Sequence, residues 1–261
     1  MNERKIRVNH KVALAILCID DYSDEVVKGM NIKVEIKNLN KKPIIKKDGY
    51  FIFTNMEDAI CTIVITGNIY MDEEKTIDLR AVNPLDPIVK IRLRPNRRYP
   101  LKRGMTCILG KIQKSSKGLI RTKVKIIPLH QRNKMRMVKD LEKKDGQEIT
   151  LNNPQNADLT LKSFWINDSG KEELCTIKKE IENKTYEFYK PLKYKHEKGT
   201  ELLRVYDTYT DEKGFFILCI KDHNENLNKA KIIIQDEDLL FEDEIEYLSS
   251  QVKDLGSIQV R

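Results

Sequence analysis

Apolar and polar residues alternate with a period of two through most of this chain, and such runs return about every ten residues, the spacing of short strands joined by turns. KVALAILCID at 11–20 is a first strand that ends in the acidic loop DDYSDEVVKG. Met30, Ile32, Val34 and Ile36 alternate with Asn31, Lys33, Glu35 and Lys37, which predicts a second strand with one wet face. Asp48-Gly49 is a hairpin turn signal, because glycine takes a positive φ without steric cost. Tyr50–Thr54, Ala59–Thr66, Asp72–Leu79 and Pro87–Arg94 supply four more strands. Six short strands without a long helical pattern predict a β-sandwich or barrel over residues 1–94.

At 95–103 the pattern stops. Pro95 and Pro100 fix φ and remove two backbone donors, so this Pro/Arg-rich stretch reads as a hinge. From 104 the order of features begins again. MTCILGKIQKSSKGLIRTKVKIIP lies over ILCIDDYSDEVVKGMNIKVEIKN, with Ile108-Leu109 on Ile16-Leu17 and Val124–Ile126 on Val34–Ile36. Farther on, KGFFIL answers DGYFIF, AKIIIQ answers CTIVIT, and LGSIQV at 255–260 is a candidate closing strand. The chain therefore reads as a first sandwich at 1–94 and a second at 104–261, the second interrupted by an insertion at about 130–201. Leu159, Leu161, Phe164 and Trp165 predict a strand within that insertion. LLFEDEIEYLSS at 239–250 fits a short helix or an irregular acidic loop, and the pattern leaves both open.

Composition narrows the class. In 261 residues with 40% hydrophobic and 34% charged, no apolar run reaches the length of a membrane helix. VALAILCI is too short for a signal segment and lacks a small-residue cleavage pattern, so a cytoplasmic protein is expected. Cys18, Cys61, Cys107, Cys175 and Cys219 form no CxxC pair and read as buried thiols in a reducing compartment.

The net charge of +8 is unevenly placed. Between Ile88 and Lys139 there are seventeen Lys or Arg and no acid, whereas Asp236–Asp254 carries eight acids against Lys253. Either the two segments pair in the fold or the basic one meets an acidic partner. Strand alternation explains most of these cations as a wet face, but not the cluster Arg97, Arg98, Lys102 and Arg103. In the insertion, Tyr186, Phe188, Tyr189 and Tyr194 sit among Lys184, Lys190, Lys193 and Lys195. With Trp165 they form a candidate aromatic platform for a glycan or cell-envelope ligand, and the interleaved cations argue only weakly for nucleic acid.

Catalytic signatures are missing from the linear order. His10, His130, His196 and His223 stand in no zinc spacing and read as surface or structural residues. No dinucleotide fingerprint, P-loop or nucleophile elbow occurs. The carboxylate pairs Asp20/Asp21, Asp24/Glu25 and Asp236/Asp238 lie in polar segments that read as solvated loops. No enzyme, cofactor, metal or small-molecule substrate is expected.

MNIKVEI, KKDGYFIF and CTIVITG in the first half, with EKGFFILCI and KAKIIIQ in the second, resemble the carboxypeptidase regulatory-like, or transthyretin-like, seven-stranded sandwich. RLRPNRRYPLKRGMTCILGKI looks like the linker of tandem-domain proteins associated with phage-tail-like contractile injection particles and prophage tails, with Lys102 where a proline is expected. The resemblance implies a noncatalytic structural or accessory protein that binds protein partners, possible particle components, through edge strands or the insertion. Arg97, Arg98, Lys102, Arg103, Trp165, Tyr186, Tyr189 and Tyr194 are its candidate contact residues.

Overall fold

The computed structural model describes residues 11–28, 31–57, 59–129, 134–141, 147–154, 156–221, 227–236 and 239–261. His10, His130 and His223, and the carboxylate of Asp238, lie outside them. The protein is mainly β, and among the described residues the only helical element is a 3-10 turn at Leu79–Ala81. It divides into two compact units, Met1–Tyr99 and Pro100–Arg261.

The first unit is a two-sheet β-sandwich. Its strands are β1 (Val12–Asp20), β2 (Ile32–Ile36), β3 (Ile44–Ile45), β4 (Tyr50–Thr54), β5 (Ile60–Gly67), β6 (Glu73–Asp78) and β7 (Ile88–Leu93). One sheet has the order β3-β4-β1-β7, with β7 parallel to β1; the other has the order β2-β5-β6. Leu14, Ile16 and Cys18 of β1 meet Val34, Ile36, Phe51, Phe53, Ile63 and Ile65 in the core between them. The six expected strands are present near their expected bounds, and β3 is an addition too short to show a pattern. Gly49 closes the β3–β4 turn at φ +97°, and a Cβ there would stand 2.4 Å from Val26 Cγ1. No larger residue fits that turn.

The end of this unit is pinned by a buried carboxylate. Asp20, 4% exposed, accepts the Tyr22 and Ser23 amides on Oδ1 and the Tyr70 and Tyr99 hydroxyls on Oδ2 at 2.8 Å each. Asn96 donates its amide to the Asn68 and Tyr70 carbonyls. Residues 95–99, read from the sequence as part of a hinge, are thus bonded into the first unit. Asp20 is no solvated loop residue: four donors replace the water it gives up.

The second unit begins with β8 (Thr106–Lys114), β9 (Lys117–Gly118) and β10 (Lys123–Pro128), and resumes with β16 (Glu201–Tyr209), β17 (Phe215–Ile220), β18 (Leu227–Asp236), β19 (Leu239–Leu248) and β20 (Val252–Gln259). β8 pairs antiparallel with β17 and parallel with β20, while β10, β18 and β19 follow one another in the facing sheet. Ile108, Ile112, Val124, Ile126, Phe216, Leu218, Ile232 and Ile234 fill the core. Val124 faces Ile234 and Ile126 faces Ile232, the register by which Val34 faces Ile65 and Ile36 faces Ile63. β8 departs from the sequence overlay. Phe215 faces Lys111 where Tyr50 faces Leu17, so the strand is displaced by two residues, which leaves inward and outward positions unchanged. Gly214, at φ +84°, ends the preceding turn, where a Cβ would fall 2.6 Å from the Ile112 carbonyl oxygen.

β19 corrects the sequence expectation of a helix or irregular loop at 239–250. It pairs with β18 over ten residues, from Leu227↔Leu248 to Asp236↔Leu239. Leu239 and Tyr247 turn inward, with Phe241 and Ile245 against the core, while Glu242 and Glu246 meet Lys231 at 2.5 Å and Lys229 at 3.7 Å. Cross-strand pairing decides what the local pattern leaves open.

The insertion extends the long sheet. Its strands are β11 (Met135–Arg136), β12 (Glu148–Thr150), β13 (Ser163–Asn167), β14 (Glu173–Glu182) and β15 (Thr185–Phe188). They continue in the order β12-β15-β14-β13-β16, with β11 also on β16. A second core forms from Met137, Leu151, Phe164, Ile166, Ile177, Tyr186, Phe188, Leu192 and Leu202.

Two further expectations change here. Cys107 and Cys219 face each other across β8 and β17 and form a disulfide, so they are not thiols. Several cations of the basic segment also pair with acids outside 236–254. Arg92 pairs with Asp21 at 2.6 Å and with Asp24, Arg94 with Glu73 at 2.6 Å, Lys123 with Asp207 at 3.3 Å, and Lys134 and Arg136 with Glu201 at 3.0 and 2.8 Å.

Candidate partner-binding site

The loop that follows β15 carries exposed cationic and aromatic side chains side by side. Tyr189 and Tyr194 are 49% and 42% exposed, and Lys190, Lys193, Lys195 and Lys198 project beside them. None of these four lysines has an ion-pair partner among the described residues. Between the projecting side chains, Leu192 at 1% exposure enters the second core.

Backbone bonds hold the loop along its length. The Tyr189 amide donates to the Thr176 carbonyl, Lys198 to Asp140 Oδ1 and Gly199 to the Met137 carbonyl. Glu173 receives the Lys193 amide on Oε2 at 2.9 Å and the Tyr194 amide on Oε1 at 3.1 Å. A loop fixed at so many points presents its side chains at little cost in ordering entropy on binding.

Beneath the loop lies a buried polar cluster. His196 Nδ1 is 2.8 Å from Asp168 Oδ2, and Nε2 is 2.9 Å from Glu173 Oε1. Its carbonyl accepts the Leu141 amide, and the Tyr194 ring stands edge-on to the imidazole at 6.5 Å. Cys175, next along β14, has its thiol pushed up by burial and then by the charge of Glu173. Sequence reasoning placed His196 among surface or structural residues and singled out neither Asp168 nor Glu173. Only the β13–β14 pairing and the return of the loop bring the three together.

The expected aromatic platform is not assembled. Tyr186, 1% exposed, lies in the second core with its hydroxyl accepting from Asn153 Nδ2 at 2.9 Å, and Phe188 is also buried. Both fall on the inward face of β15, so neither reaches a surface ligand. Trp165 is half-buried against Ile127, Leu203, Val205 and Ile233, and Lys231 Nζ stands 5.4 Å from its ring centroid. Tyr189 and Tyr194 are the two expected aromatics that remain exposed. Arg97 and Arg98 are exposed in the first unit, with Arg98 donating to Asn68 Oδ1 at 2.9 Å; Lys102 and Arg103 are exposed in the second.

A shallow cleft of about 710 Å³ in the first unit is lined by Ile36, Leu39, Met56, Ile60, Cys61 and Leu79, with Glu57 as its carboxylate among the described residues. Burial raises the Cys61 thiol, which disfavours a thiolate nucleophile there. No cluster of metal-ligating side chains occurs among the described residues, and no described helix is long and apolar enough to cross a membrane.

No protein-family model and no curated protein matches the chain. Among solved structures it is similar to the shaft pilin SpaA from Lactobacillus rhamnosus GG, over 97% of both chains, at 8% identity and a TM-score of 0.24. It is also similar to a streptococcal ancillary pilin, over 95% of this chain and 62% of that one, at 9% identity and a TM-score of 0.22. Superpositions this loose decide neither fold nor role.

Proposed function

We propose that the chain is a noncatalytic structural or accessory protein that binds another protein through the Tyr189–Lys198 loop. One observation carries the proposal: four lysines without an ion-pair partner among the described residues flank two exposed tyrosines on a loop anchored by buried residues. Uncompensated cations beside amphipathic aromatics suit an acidic protein surface, since charge steers the encounter and tyrosine supplies contact area. Arg97, Arg98, Lys102 and Arg103 add steering charge.

The outer edge of β20, which no other strand among the described residues covers, is a second contact element, available for strand addition. The bulge at Gly256, between Asp254 and Ser257, and the charges of Lys253 and Asp254 restrict which strand it accepts.

Shared pairing order and register support a tandem origin for the two units. On this proposal a first domain at 1–94 and a linker at 95–103 precede a second domain at 104–261, interrupted at about 130–201. The likeness to carboxypeptidase regulatory-like sandwiches and a role in a phage-tail-like particle rest on the motifs quoted from the sequence. The Cys107–Cys219 disulfide favours a released particle or another oxidising location over a reducing cytoplasm. Affinity purification from the native source, followed by identification of co-purifying particle components, tests the assignment. Recovering such components supports it, and their absence under crosslinking removes it.

A further inference from the structure

His196 is a buried titratable group whose two ring nitrogens meet two different carboxylates. Its side chain has no exposed surface, whereas Asp168 and Glu173 retain 24% and 10%. Neutral imidazole has one N–H, so it can satisfy one carboxylate while turning a lone pair toward the other. Only the imidazolium donates to both, and it does so through charge-assisted bonds.

We infer that the His196 cluster is a pH-sensitive latch on the Tyr189–Lys198 loop, closed while the ring carries both protons and released when it gives one up. What the latch regulates rests on the loop being the partner surface; the latch itself does not. Glu173 couples the ring to the loop, because the carboxylate that accepts from His196 also accepts the Lys193 and Tyr194 amides. When the ring loses a proton, a lone pair faces a carboxylate oxygen and that junction loosens.

Among the described residues, neither Asp168 nor Glu173 forms an ion pair with a lysine or arginine, although Lys171 lies between them along the chain and Lys193 and Lys195 closely precede His196. The β13–β14 turn presents Asp168, β14 presents Glu173 with Cys175 beside it, and the loop itself presents the Tyr194 ring. The segment before residue 142 contributes Asp140, bonded to the Lys198 amide, and the Leu141 amide on the His196 carbonyl.

The test is hydrogen exchange on the full chain at about pH 6 and about pH 9, which bracket histidine titration. After correction for intrinsic rates, protection of the Lys193 and Tyr194 amides is expected to fall about tenfold or more at the higher pH, while β8 amides keep theirs. His196→Gln, which cannot carry the charge, is expected to show the same protection at both values. If that variant does not fold, Asp168→Asn, at a partly exposed position, supplies the comparison. Equal protection of the wild-type loop at both pH values overturns the latch. Partner capture has no part in this readout, so a flat profile leaves the partner proposal standing, and a failed partner proposal leaves the latch standing.

Discussion

Cys107 and Cys219 stand opposite each other in the β8–β17 pair, joined by a disulfide across 112 residues of sequence. The bond closes a loop that contains the whole insertion, and such closure removes entropy from the unfolded chain. Reduction, or Cys107→Ala with Cys219→Ala, is expected to lower the stability of the second unit by about 2–4 kcal/mol. Urea unfolding with and without reductant measures it. Identical midpoints contradict the bond.

The three remaining cysteines should separate by reactivity. Burial pushes the Cys18 thiol up to about 12, and it pushes Cys175 up as well. At about pH 8 a thiol with a pKa near 12 is ionised to roughly one part in ten thousand, so alkylation is slow. Cys61, half-buried and raised less, is the expected labelling site in the native protein. Because the shifts are upward, higher pH should speed all three. Mass spectrometry after iodoacetamide treatment settles the order, and rapid native labelling of Cys18 contradicts the β1 packing.

Asp20→Ala removes the acceptor shared by Tyr70 and Tyr99. Leaving two hydroxyls without that partner should cost about 3 kcal/mol. The Asn96–Tyr99 segment should also loosen, so trypsin should cut faster after Arg97 and Arg98. Unchanged cleavage would place those residues outside the first unit's bonded end.

Tyr186 separates core from platform. Tyr186→Ala should destabilise the second unit by about 3–5 kcal/mol, and Tyr186→Phe, which strips one partner from Asn153, by about 1 kcal/mol. Chemical unfolding provides both values. A loss of ligand binding without loss of stability would return Tyr186 to the surface role expected from sequence.

Much of the fold was legible because strand alternation is local. Val34 and Ile36 announce an inward face, as do Val124 and Ile126, and the structure gives both pairs the same register against β5 and β18. Residues 239–250 were not legible, because Glu242, Glu244 and Glu246 show their pairing logic only once Lys229 and Lys231 lie across from them. The disulfide was hidden for a related reason: the overlay of β8 on β1 was displaced by two residues, and no spacing rule joins cysteines so far apart. Of the site, the exposed Tyr189, Tyr194 and lysines were visible as composition. The anchors Leu192, His196, Asp168 and Glu173 were not, since their roles arise from the return of the loop onto β13 and β14.

The central claim is that the Tyr189–Lys198 loop binds an acidic protein partner. The most direct measurement is the affinity of the co-purifying partner, as a function of salt, for the wild-type chain and for the variant Lys190→Glu/Lys193→Glu/Lys195→Glu. The variant is expected to bind at least about tenfold more weakly and with a shallower salt dependence, while folding normally, because these side chains project into solvent. Unchanged affinity and unchanged salt dependence would contradict the claim.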